Sequence, residues 1–167
     1  MKKTIKNLTI LLAFIATFTV FAVPAKLTKV TLENTDKFTD FKISNRNSKK
    51  EAERLVKDLK NQIQKSINKN LPNNQSMHIN ISDVDMAGMI SPMHDIREIR
   101  DSLEKSVLEF DFTLYDENGK TIKQDKVVLV EKFVDTKSLK LNRYRNTYFK
   151  YEMVMFSKWL KKTFKTM

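Results

Sequence analysis

Cysteine is missing from all 167 residues, and glycine (two), histidine (two), proline (three) and tryptophan (one) are scarce. Each shortage excludes a class of chemistry. Without cysteine there is no disulfide, no thiolate metal site and no thiol nucleophile. With Gly88 and Gly119 alone, no phosphate-cradling glycine loop and no Gly-x-Ser-x-Gly elbow can be written, and a backbone oxyanion nest is hard to build. A serine hydrolase would have to choose its base from His78 and His94. Glycine- or proline-rich linkers and internal repeats are also missing, so the chain reads as one folded unit.

Acidic residues are missing from both ends. The first seven residues hold Lys2, Lys3 and Lys6 and no acid, and an apolar run from Leu8 to Val23 follows. A basic start, a short apolar stretch and small residues at its end mark a secretory signal peptide. The run is shorter than the roughly 20 residues of a spanning helix. Cleavage is expected after Ala25, with Ala22 the rival, which makes residues 1–25 the leader and 26–167 a single domain. The expectation is a periplasmic or secreted protein with no transmembrane segment after processing. A domain of that size buries roughly 68% of its unfolded surface, and without disulfides it must rely on its apolar core.

The charge is uneven. The formal net charge is +11, and removing the leader lysines leaves +8. Residues 26–136 carry 19 basic and 19 acidic side chains. Residues 137–167 carry nine basic residues and one acid, Glu152, so the whole excess lies there.

Periodicity supplies the elements. Leu27–Leu32 is a short strand by its β-branched content. Ser48 and Glu51 form a capping box ahead of Ala52, Leu55, Val56, Leu59, Ile63 and Ile67, a helical stripe that stops at Asn70 before Pro72. Met77–Ser82 and Ser106–Tyr115 alternate as half-buried strands. Asn118-Gly119 predicts a hairpin into Thr121–Val130, with a bulge expected at Gln124–Lys126. Thr147–Phe164 is a second helix, with Phe149, Met153, Phe156, Leu160 and Phe164 inside an arc of about 80°. Lysines hold the opposite arc, and Glu152, Met155 and Trp159 make a flanking stripe. The order β-α-β-β-β-α implies an α+β two-layer sandwich, a mainly antiparallel sheet of about four strands with both helices on one face.

Several of these pieces together resemble the bacterial family known as domain of unknown function 3016. They are Phe38-Thr39-Asp40, Leu71-Pro72 with Gln75, Asp83-Val84-Asp85-Met86-Ala87-Gly88, Asp95-Ile96-Arg97, and Tyr151-Glu152 with Met155 and Trp159. Met89 departs from the family's glutamate after Ala-Gly, Lys105-Ser106 replaces a Trp-Pro pair, and Leu129-Val130-Glu131 stands for a Leu-x-Asp. The resemblance implies a fold and an exported setting and no activity.

Two candidate sites remain. Asp83 and Asp85, two apart on an extended chain, point the same way and with His94 are candidate ligands of a hard or transition metal, in a metal-binding protein or a metal-dependent hydrolase. The competing reading gives the two aspartates to turn amides. The second site is the basic last helix, with Lys150, Lys158, Lys161, Lys162, Lys165 and Trp159, joined by Arg97 from the loop after Asp85. It fits an acidic protein, a polysaccharide or an anionic lipid surface, whereas nucleic acid is a poor partner for an exported chain without basic-aromatic interleaving. Five lysines at about 1 kcal/mol each correspond to a dissociation constant near 0.2 mM at best, a transient contact. The expectation is therefore a non-enzymatic binding or accessory module, monomeric or weakly associating, with no catalytic residue and no cofactor.

Overall fold

The computed structural model describes residues 28–46, 48–86, 88–94, 97–98, 105–132 and 148–164. The expected leader, Asp95 and Lys165 lie outside the described residues.

Among the described residues six strands and two long helices follow in order: β1 (Lys29–Leu32), α1 (Lys49–Asn70), β2 (Ser76–Asp85), β3 (Met89–Ile90), β4 (Arg97–Glu98), β5 (Lys105–Tyr115), β6 (Thr121–Lys132) and α2 (Lys150–Phe164). The main sheet runs β1-β2-β5-β6, and β3 pairs with β4 in a small separate ladder. β1 lies parallel to β2, with α1 as the crossover, and the other two pairings are antiparallel. The fold is the expected α+β arrangement.

Local chemistry explains the boundaries. Ser48 accepts a hydrogen bond from the Glu51 amide at 3.2 Å, capping α1. The Glu51 carboxylate accepts from Ser44 Oγ at 3.1 Å, tying the incoming loop to the first turn. At the other end Leu71 takes an extended conformation, as a residue before proline must. Gly119, at φ 77°, closes the β5–β6 hairpin, and Asp116 accepts from the amides of Asn118 and Lys120 at 2.9 and 2.8 Å.

One face of the sheet is the core. Val30, Met77, Ile79, Ile81, Val84, Leu108, Phe110, Phe112 and Leu114 are buried against Leu55, Leu59, Ile63 and Ile67 of α1 and Met153, Phe156, Leu160 and Phe164 of α2. The apolar arc read from the α2 sequence is therefore spent inside. Phe149, ahead of α2, stacks on Phe41 at 5.6 Å.

Two irregularities set the register. Between Ile81 and Asp83 the β2–β5 pairing shifts at Ser82. A bulge of one residue changes which side chains face in. Val84 is thereby buried, while Asp83 and Asp85 stand on the open face opposite Glu109 and Val107. The second shift lies between Leu114 and Tyr115, opposite Ile122. The bulge expected at Gln124–Lys126 is displaced to that point, and those three residues pair regularly with Thr113, Phe112 and Asp111. That register puts Lys126 on the open face opposite Asp111, where its ammonium meets Glu109 at 2.6 Å.

Candidate functional site

The C-terminal end of β2 gathers a polar cluster built from three segments of the chain. Asp40 forms an isolated parallel bridge with Asp85: its amide donates to the Val84 carbonyl at 3.1 Å, and its carbonyl accepts from the Met86 amide at 3.0 Å. Asp83 secures the neighbouring residue. Its Oδ1 accepts from the amides of Thr39 and Val84 at 2.7 and 2.8 Å, and its Oδ2 accepts from Thr39 Oγ1 at 2.7 Å.

Arg97 closes the cluster from the other side. Its Nη1 donates to the carbonyls of Met86 and Gly88 at 3.0 and 2.6 Å. Its Nη2 donates to Asp40 Oδ1 and to the Lys42 carbonyl, both at 2.8 Å, and Nε reaches the same carbonyl at 3.1 Å. The side chain is 9% exposed. A planar fork with fixed donors suits this task; a flexible ammonium does not. The guanidinium thus clasps the 38–42 segment, the end of β2 and the turn at Gly88, where φ is 87°.

Asp85 sits among these charges without sharing their reward. Partial burial raises its pKa above the ordinary carboxyl value, Asp40 and Asp83 push it further up, and Lys105 and Arg97 oppose the rise.

The candidate metal ligands do not come together. Both carboxylate oxygens of Asp83 are engaged by Thr39, and the exposed His94 has its Nδ1 3.5 Å from Ser91 Oγ. His78 stands five residues before Asp83 on β2, roughly 15 Å along the strand, with its ring edge-on to Tyr115 at 5.0 Å. Among the described residues no group of three or more His, Asp or Glu is placed to hold a metal ion.

The basic helix has the opposite character. Lys158, Lys161 and Lys162 are exposed. Lys158 meets Glu131 of β6 at 2.6 Å, and the Lys150 ammonium lies 5.7 Å from the centroid of the Tyr151 ring. The flanking stripe turns inward. Trp159 packs edge-on to Phe110 and Phe112 at 4.9 and 5.2 Å. Glu152 is 1% exposed and accepts from Ser106 Oγ at 2.6 Å.

Sequence reasoning named Arg97 as a surface contact and left Asp40 and Thr39 out of the candidate site. The signal that points to them is the series of family-like segments: Phe38-Thr39-Asp40, Asp83 to Gly88 and Arg97 are far apart in the chain and meet in this one clasp.

No curated relative matches the chain. Among solved structures it is similar to a minor lipoprotein from Acinetobacter baumannii at 11% identity, covering 83% of this chain and 91% of that one with a TM-score of 0.27, a score too low to establish a shared fold. The model of the family described as "protein of unknown function (DUF3016)" matches residues 27–162, which take in the clasp and most of α2, and the chain belongs to that family.

Proposed function

We propose that this chain is an exported, non-enzymatic binding or accessory module whose lysine face on α2 meets an acidic surface of the cell envelope. The observation that carries this reading is the division of α2. Its apolar arc is consumed by the core, while Lys158, Lys161 and Lys162 are exposed. Glu152, the one acid among residues 137–167, is buried against Ser106 and adds no negative charge to that face. A helix whose apolar side is already covered has only screened electrostatics left with which to meet an anionic surface. Such contact is transient and falls steeply with salt. Export rests on the basic and apolar N-terminal segment, and no helix among the described residues is long and apolar enough to cross a membrane.

The test is co-sedimentation of the protein, processed as the cell processes it, with anionic and with neutral vesicles at low and at physiological salt. The expected result is binding to anionic vesicles only, weakened as salt rises and abolished in K161E/K162E. Equal binding of the charge-reversed variant, or none in any condition, would remove the lysine face from the reading.

A further inference from the structure

We infer that this chain pairs with a second copy of itself through the outer edge of β6, in one specific register. The sheet order ends at β6, so among the described residues no strand takes up its outer row of amides and carbonyls. The opposite edge is β1, four residues long, whereas β6 runs for twelve. An edge of that length is a template for another strand unless its side chains forbid pairing. On β6 the apolar content is not hidden: Val128 and Val130 are 55% and 54% exposed on the open face.

The charges on the strand choose the occupant. In an antiparallel pair directly opposed residues share a face, so a two-fold axis normal to the sheet must pass beside one residue of each copy. With the axis at Val127, Lys123 of each copy faces Glu131 of the other. Asp125 then faces Leu129, Lys126 faces Val128, and Gln124 faces Val130; no like charges are opposed. Moving the axis one residue toward the hairpin sets Lys126 against Lys126, and moving it one residue the other way sets Asp125 against Glu131. Like charges directly opposed disfavour pairing, and opposite charges favour it. An axis at Gln124 would set Lys123 against Asp125 but pair only residues 121–127, whereas the Val127 register pairs 122–132, nearly the whole strand. The lysines that guard this edge against indiscriminate strands therefore admit a copy of β6 there. The product is a continuous eight-stranded sheet with the helices of both copies on one side. The inference does not depend on the proposed function.

Sedimentation velocity over a concentration series, on the protein purified as the cell processes it, reads the association. The native chain is expected to show a concentration-dependent monomer–dimer equilibrium. K123E opposes two pairs of glutamates and is expected to weaken the dimer about 30-fold in Kd. E131K does the same with lysines. Because Glu131 also holds Lys158, E131K/K158E serves beside it to keep that intrachain pair. Circular dichroism verifies that each variant is folded. The decisive step mixes K123E with E131K or E131K/K158E: each alone is largely monomeric, and together they form a heterodimer in which both charge pairs are restored. A native chain that stays monomeric to about 1 mM overturns the inference. A dimer indifferent to K123E overturns it too, since the interface would lie elsewhere. Mixed variants that fail to associate would overturn the register.

Discussion

Losing Arg97 would take the donor from four acceptors at once: the carbonyls of Lys42, Met86 and Gly88 and a carboxylate oxygen of Asp40. Removing one member of a partly buried, hydrogen-bonded ion pair destabilises by about 2–3 kcal/mol. R97A is therefore expected to lower the urea midpoint by a corresponding amount, and R97K to recover only part, because one ammonium cannot span the clasp. Asp85 behaves oppositely. Its folded pKa is raised, chiefly by burial and by Asp40, so the folded state binds its proton more readily than the unfolded chain does. What the protonated group contributes is present below the unfolded carboxyl range and is lost as pH rises through the folded value. At neutral pH the ionised Asp85 is a burden, and D85N should raise Tm there, with the gain shrinking to nothing in acid. Thermal melts of both proteins from acid to neutral pH check the sign; a loss of stability in D85N at neutral pH would contradict it. At this scale the sequence was half legible. The two-residue spacing of Asp83 and Asp85 correctly put both carboxylates on one face, but the acceptors of Arg97 are mostly main-chain carbonyls, which leave no trace in side-chain pattern.

Helices and long strands were legible because each buries one face, and burial of one face is what produces period 3.6 or period 2. α1 is the clearest case: Leu55, Leu59, Ile63 and Ile67, read as a stripe, are fully buried. Two variants of α1 separate its local from its tertiary support. S48A removes the cap and is expected to cost about 1 kcal/mol, whereas L59A opens the core and is expected to cost about 3 kcal/mol. Chemical denaturation measures both, and comparable losses would mean that α1 is held less by the sheet than its burial implies. What was not legible at this scale has a common cause. The parallel pairing of β1 with β2 depends on where the α1 crossover returns, the bulge at Ser82 on a register between strands, and the inward turn of Glu152 on Ser106 of another element. Each is fixed by a neighbour distant in the chain. The bulge expected at Gln124–Lys126 failed for the same reason: broken alternation within one strand does not reveal that the ladder with Thr113, Phe112 and Asp111 on β5 runs regularly through it.

At the scale of the molecule, a sheet covered on one face by two helices separates duties. The covered face supplies the core, the end of β2 is locked by Arg97, and charge is left to the helix surface and the strand edge. The vesicle and sedimentation experiments address those two surfaces separately, and K161E/K162E is expected to leave self-association unchanged because neither lysine lies on β6. The compositional asymmetry was readable at once, since formal charge needs no fold; its meaning depended on α2 spending its apolar arc inside. The packing of α2 has an optical consequence. Trp159 is the sole tryptophan, wedged among Phe110, Phe112, Phe156 and Phe164 with ring centroids 4.9–5.6 Å away. Its emission therefore reports one event, the seating of the last helix on the central strand. A red shift arriving before the loss of far-ultraviolet ellipticity would time the departure of α2 from a sheet that is still intact, with no label attached.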